Sequence, residues 1–432
     1  MYWEPDIETM PRPRLENMQL TKLKRTLEYA HRSPFYSQRF AAEGIDINKL
    51  RTLDDLRRIP FTVKQDLRES FPDGLLCTSY EDVVRIHSSS GTTGQIIVVF
   101  YNQHDLDSWS NLMARCMFGA GTRKTDVFQN CVGYGLFTGG LGFHFGSEKL
   151  GALTIPSASG NSRRQIFLMQ SMKTTTVHII PSYALVLMTV LNEMGVDPRK
   201  ELFLKRAFLG AEPYSEATRR RVEEFYGIDV YNSYGLTEMN GPGVAFECTE
   251  KAGMHLWEDA FILEVIDPDT QEPVPDGQEG ELVFTTIDRQ AMPILRYRTK
   301  DLAFVYPEPC PCGRTHRRIS RIKGRIDDMM IMKGVNIFPT QIETTLMKVP
   351  ELGSNYLIVL ERRNLVDEMI VKVEVRPEFF TGDLRRLERL RAQLVADLRT
   401  EILITPKVEL LEPSSLPISE GKAVRVQDLR EL

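Results

Sequence analysis

Nowhere in its 432 residues does this sequence hold 18 consecutive apolar side chains. Its most apolar stretch, 179–191, is short and carries Pro181 and Ser182, so no membrane-spanning helix is expected. Neither sign of charge prevails. The net charge is −5 and Lys and Arg are spread along the chain, which argues against nucleic acid or a membrane surface as partner. Six cysteines are too few for a disulfide framework. The opening residues, Met1 to Asp6, resemble neither a signal nor a transit peptide, so a cytoplasmic location is expected. No internal repeat and no low-complexity segment is present. A lysine is missing too, after the run Ser88-Ser89-Ser90-Gly91-Thr92-Thr93-Gly94.

That run lies between two strand-like pieces, 82–86 and 96–100. Its glycines let the backbone turn tightly against a ligand, while amides and hydroxyls face anionic oxygens. Without a following Gly-Lys-Ser/Thr it is not the common phosphate loop. If it holds a triphosphate, the balancing cation must come from elsewhere in the chain.

Hydrophobic content of 42% and charged content of 26% are those of a globular protein, and the length calls for two or three domains. Helical spacing runs through 15–44, with a further short helix at 52–58. An amphipathic helix is predicted over 103–121, opened by Asn102. The stretch 133–142 looks too glycine-rich for the interior of a regular element. Strand-like pieces near 154, 177–180, 206–208 and 229–231 then alternate with helical ones. That alternation implies an α/β architecture with a largely parallel sheet. Short strands and turns dominate 246–306. Past a boundary near Gly324 to Asp328 a compact α+β unit follows: a hairpin from 355–361 and 368–376, a helix over 382–403, and a last strand at 407–411. The expected organisation is a large N-terminal domain, 1–326, with a β-rich subdomain at 246–320, and a small mobile C-terminal domain, 327–432.

Several turns could carry chemistry. Tyr231-Asn232-Ser233-Tyr234-Gly235-Leu236-Thr237-Glu238 ends a strand and exposes an aromatic ring for a base and a carboxylate for Mg²⁺. Leu209-Gly210-Ala211-Glu212-Pro213 also follows a strand, where ligands of open α/β sheets bind. Asp301, after the basic strand Arg296-Tyr297-Arg298-Thr299-Lys300, could accept both hydroxyls of a ribose. The Gly324-Arg325-Ile326-Asp327-Asp328 and Lys333-Gly334-Val335 turns suit a hinge. Lys422, on the Gly421 turn, is a candidate for the missing cation.

Any one of these fits a solvated turn, but together and in this order they resemble the adenylate-forming enzymes, the acyl-CoA synthetase and luciferase superfamily. Tyr2-Trp3-Glu4-Pro5, Ser33-Pro34-Phe35-Tyr36, Tyr-Gly-Leu-Phe-Thr-Gly-Gly-Leu-Gly at 134–142 and Lys-Gly-Val-Asn-Ile-Phe-Pro-Thr-Gln-Ile-Glu at 333–343 resemble the phenylacetate–CoA ligase branch. The resemblance implies two steps: a carboxylate attacks the α-phosphorus of ATP, and CoA then displaces AMP from the acyl-adenylate. It places Ser88, Ser89, Ser90, Gly91, Thr92, Thr93 and Gly94 on the phosphates, with Glu238 on Mg²⁺. The Gly210-Ala211-Glu212 turn and the Tyr231, Asn232, Tyr234, Gly235 and Thr237 segment fall around the nucleotide, Asp301 and Arg325 on the ribose. Asp327 is the implied pivot, Lys333, Gly334 and Val335 face CoA, and Lys422, Glu238 and Thr93 carry the chemistry. A homodimer follows by analogy only.

Tyr134 and Phe137 are expected as aromatic walls of an acid pocket, with Gly139 and Gly140 leaving room for a flat ring. Phenylacetate is the leading acid, with indoleacetate or another aryl acid as alternatives. The alternative activity is an adenylyltransferase that makes no thioester. Cys248, His255, Cys310 and Cys312, in segments bounded by Gly and Pro, offer three thiolates and an imidazole, a closed tetrahedral zinc set. The Pro-Cys-Pro-Cys-Gly run resembles a zinc knuckle, with His316 as a competing ligand. Cys77, Cys116 and Cys131 read as buried apolar residues.

Overall fold

The computed structural model describes residues 1–89, 96–363, 366–417 and 423–430, without side chains at 363 and 366. Its best-marked local signal is the one at Asn102. The Asn102 side chain accepts from the Asp105 amide at 2.9 Å and opens helix Gln103–Gly119. Beyond it, strands and helices alternate as the sequence predicts, and an eight-stranded sheet results. From one edge it runs Leu153–Ile155, Val127–Asn130, Thr176–Ile179, Arg206–Gly210 and Asp229–Leu236, all parallel. It then continues antiparallel through Gly241–Glu247, Met254–Leu256 and Arg318–Ile319. The direction changes where the connecting helices stop. Parallel neighbours need a crossover, whereas the short 237–240 link permits only an antiparallel return.

The 246–320 stretch is therefore shared between two sheets. Part of it extends the large sheet. The rest, with Gly324–Arg325, forms a four-stranded antiparallel sheet in the order Phe261–Ile266, Gly280–Thr286, Tyr297–Ala303, Gly324–Arg325. That pairing sets Asp301 directly opposite Arg325.

Downstream, a separate hydrophobic cluster runs from Met330 to Val408. Helix Leu384–Ile402 buries Leu390, Leu394, Leu398 and Ile402, one per turn, against a four-stranded sheet. Strand Lys407–Leu411 is not the last. Val426–Asp428 adds itself parallel to Leu352–Arg363, although so short and polar a stretch carries no strand period of its own.

The 133–142 expectation is corrected. Helix Thr138–Leu150 takes in Gly139, Gly140, Gly142 and Gly146. A Cβ on Gly142 would lie 2.6 Å from the Trp109 ring, and one on Gly146 would lie 2.4 Å from Met113 Cβ. The glycines let this helix pack at close range on Gln103–Gly119; they do not break it. Among the described residues no helix is long and apolar enough to cross a membrane.

Candidate active site and metal centre

Strand Asp229–Leu236 continues through Tyr234 and Gly235, where a turn was expected. Side chains of a strand alternate between faces, so Tyr231 and Tyr234, three apart, point to opposite sides. The Tyr234 hydroxyl donates to Asp301 Oδ2 at 2.7 Å. Tyr231 instead packs near Phe208, with Lys251 Nζ 5.2 Å from its ring centre. It therefore stands apart from the Tyr234–Asp301 pair.

Asp301 is the hub of the cleft. Its Oδ1 accepts from Arg325 at 3.1 Å, and the same guanidinium donates twice to Asp327 at 2.9 Å. Burial pushes the Asp301 carboxyl up to about 6, against the downward pull of Arg325. Glu238, on the turn after Leu236, is buried, and one of its oxygens accepts the Tyr297 hydroxyl at 3.0 Å. Burial and then Glu238 push Tyr297 well up, so it stays a donor. Gly210 ends its strand opposite Ser233, and Ala211 follows with φ of 69°. The Glu212 carboxylate accepts from the Ser182 amide at 2.6 Å and the Ala423 amide at 3.1 Å.

Ser88 and Ser89 sit at the mouth of an antiparallel pair, Arg85–Ser88 with Val98–Tyr101. The strands begin three and two residues later than the sequence suggested, and Tyr80–Asp82 forms a helical turn ahead of the first. Ser90, Gly91, Thr92, Thr93, Gly94 and Lys422 lie outside the described residues. The Ser88 amide donates to Leu136 O at 3.0 Å, which ties this loop to the 133–137 segment.

In that segment the Tyr134 hydroxyl accepts from Asn130 at 3.0 Å and meets His144 Nδ1 at 3.2 Å. Asn130 also donates to Gly140 O at 2.7 Å, and its Oδ1 pairs with buried His178 at 2.9 Å. Phe137 is half-buried and stands against Gly139, where a Cβ would strike its ring. Trp109 donates to Pro242 O at 2.9 Å, and His87 packs edge-on to it. Asn130, Trp109, His87 and His144 were missed by sequence reading, as each lies inside an ordinary strand or helix. Lys333 and Gly334 form an exposed two-residue turn, both with positive φ, before Val335.

The cysteines converge. One ligand atom from each of Cys248, His255, Cys310 and Cys312 lies within 4.8 Å of all the others. Thiolates at about 2.3 Å from a tetrahedral zinc stand roughly 3.8 Å apart. Cys248 Sγ and Cys310 Sγ are 3.8 Å apart, and Cys312 Sγ is 3.3 Å from His255 Nε2. His255 Nδ1 points to His316 O at 3.3 Å, which leaves Nε2 as the ligand atom. The donor set fits zinc. His316 itself is used elsewhere: Nδ1 accepts the Glu258 amide at 2.9 Å and Nε2 reaches Ile7 O at 3.0 Å. Cys77, Cys116 and Cys131 are buried, as expected.

A family model described as "AMP-binding enzyme" matches residues 48–288, and one described as "AMP-binding enzyme C-terminal domain" matches 334–430. A phenylacetate-coenzyme A ligase of Thermus thermophilus is 45% identical over 100% of both chains. The chain belongs to the AMP-binding enzymes, in their phenylacetate–CoA ligase branch. Another such ligase, from Aromatoleum evansii, is 43% identical over 98% of this chain and 96% of its own. Among solved structures, a 2-hydroxyisobutyryl-CoA ligase in the postadenylation state aligns with a TM-score of 0.93 at 31% identity, covering 99% of this chain and 92% of that one. The same ligase in its thioesterification state gives 0.74 at 32%, covering 100% and 93%. Identity being nearly equal, this chain superposes better on the postadenylation-state structure than on the thioesterification-state one.

Proposed function

We propose that this protein joins an arylacetate, phenylacetate foremost, to CoA through an acyl-adenylate, releasing AMP and pyrophosphate. The observation that carries this reading is the full-length similarity to phenylacetate-coenzyme A ligases.

In this reading Asp301 and Arg325 exchange their mutual bond for bonds to the ribose hydroxyls, and Tyr234 holds Asp301 in place. The 88–94 loop holds the phosphates and Lys422 neutralises the α-phosphate as the acid's carboxylate approaches. Two anions must meet, so the barrier falls by position and fixed charge. Glu238 has an oxygen for Mg²⁺, which would neutralise phosphate charge when bound. Tyr134, fixed by Asn130, and Phe137 wall the ring of the acid. Asp327, released from Arg325, is the pivot for residues 327–432, and Lys333, Gly334 and Val335 then meet CoA. Cys248, His255, Cys310 and Cys312 hold a structural zinc, because four protein ligands leave no position for substrate.

The test is AMP release with ATP and CoA across aryl and fatty acids. Phenylacetate should give the highest kcat/KM and a CoA thioester. A preference for medium-chain fatty acids would remove the arylacetate claim. Adenylation without CoA dependence would point to an adenylyltransferase.

A further inference from the structure

Helix Glu216–Tyr226 starts with half a cap. Ser215 is its N-cap, and the Ser215 hydroxyl accepts the Thr218 amide at 3.1 Å. A reciprocal cap would have Glu or Gln at position 218, reaching back to the Ser215 amide. Thr218 is too short to do so. The missing acceptor arrives from far along the chain. Glu343, on helix Pro339–Met347, accepts the Ser215 amide at 2.9 Å and also the Thr218 hydroxyl. Its other oxygen accepts the Tyr356 hydroxyl at 3.1 Å. Ser215, Thr218, Glu343 and Tyr356 are all buried, so water replaces none of these partners unless the two parts separate. The carboxylate also sits at the positive end of the helix.

A mirror-image contact lies across the same cleft, a space of about 420 Å³ lined by Glu212, Tyr214, Arg325, Asp327, Glu343 and Tyr356. There Glu212 holds the Ser182 amide, in the first turn of helix Pro181–Met194, and with its second oxygen the Ala423 amide. Each part thus lends one carboxylate to the backbone of the other. Neither contact survives rotation of residues 327–432 away from this face.

We propose that Glu343 is a positioning residue: by completing the cap of Glu216–Tyr226 from the other side of the cleft, it biases the molecule toward the adenylate-side orientation. The inference rests on the two-step ligase reading. If each half-reaction runs in only one orientation, the ratio of their rates follows the ratio of the two populations. Loss of one buried cap acceptor shifts that ratio about five- to tenfold.

The experiment measures ATP–pyrophosphate exchange with the acid, and thioester formation from supplied acyl-adenylate and CoA. In Glu343→Ala the exchange-to-thioester ratio should fall about five- to tenfold. Adding Thr218→Glu supplies the acceptor from within the helix; it should restore Tm and leave the ratio low. Equal loss in both half-reactions, or full recovery of both by Thr218→Glu, would mean a merely structural role and overturn the proposal. Trypsin cleavage in the 321–325 segment needs no turnover. It should rise about fivefold in Glu343→Ala and stay raised in the double variant. Unchanged cleavage overturns the positioning role, whereas raised cleavage in a protein inactive with every acid upholds it and removes the ligase reading instead.

Discussion

The Cys248, His255, Cys310 and Cys312 cluster and the Tyr234, Asp301 and Arg325 cleft both gather residues from distant segments, yet they satisfy them differently. In the first, like groups face one another. The Cys312 thiol is held far below its ordinary value by Cys248 and His255, while Cys248 is pushed up by Cys312, as when neighbouring thiols compete for one proton. Such a set calls for a cation to stay. In the cleft, opposite charges are already paired, at 3.1 Å between Arg325 and Asp301. A pair of that kind opens and recloses with little net cost, because each bond lost is replaced by one to the ligand. The first arrangement suits a permanent occupant, the second a passing one.

The largest effect expected on the passing side comes from Lys422. Lys422→Ala should lower ATP–pyrophosphate exchange by about 10²- to 10³-fold. Thioester formation from preformed acyl-adenylate should stay within about threefold, since only the first step brings two anions together. Equal loss in both steps would remove the division of labour between cleft and tail.

Next is Asp301. In the proposed ribose-holding role, Asp301→Asn should raise the KM for ATP about tenfold or more, as charged hydrogen bonds to the ribose would become neutral ones. The pH dependence has a definite sign. Burial raises this carboxyl to about 6, so the folded state holds the proton more tightly than the unfolded chain. By linkage the group costs stability as pH climbs from the ordinary carboxyl range through about 6. Nucleotide affinity should move the other way, strengthening up to about pH 6 and levelling above it. In Asp301→Asn that one-proton step should vanish; if it persists, another group titrates.

How much of this was legible beforehand differs between the same two regions. The convergence of Cys248, His255, Cys310 and Cys312 was legible from residue types, thiol and imidazole in Gly- and Pro-bounded turns. The cleft was legible as motifs but not as contacts. Gly235 read as a turn, whereas it keeps the strand going: a Cβ there would lie 2.1 Å from Gly241 O. The glycines of 133–142 likewise suggested an irregular segment, whereas Gly142 sits within a helix, against Trp109 of another one. Glu343 ends the 333–343 motif, but its capping contact carried no local sign, since the half-cap it completes begins at Ser215.

The smallest effect on turnover should come from the metal site, and that contrast is its best test. His255 lies on Met254–Leu256 and pairs with Arg318 in the last strand of the large sheet, while Cys310 and Cys312 sit on the loop that leads into that last strand. A zinc there would staple that loop to the sheet edge, and ligand binding of this kind adds directly to folding stability. Asp301 and Arg325 pair in the other sheet, so their geometry does not pass through the staple. Cys310→Ser should therefore lose zinc from the purified protein and lower Tm by about 5 °C or more. Its kcat at a permissive temperature should stay within about twofold, because no open coordination position reaches the substrate. A variant that keeps full zinc would disprove Cys310 as a ligand. One that keeps its Tm but loses kcat would make the metal part of the chemistry, and the contrast between a permanent and a passing occupant would fail.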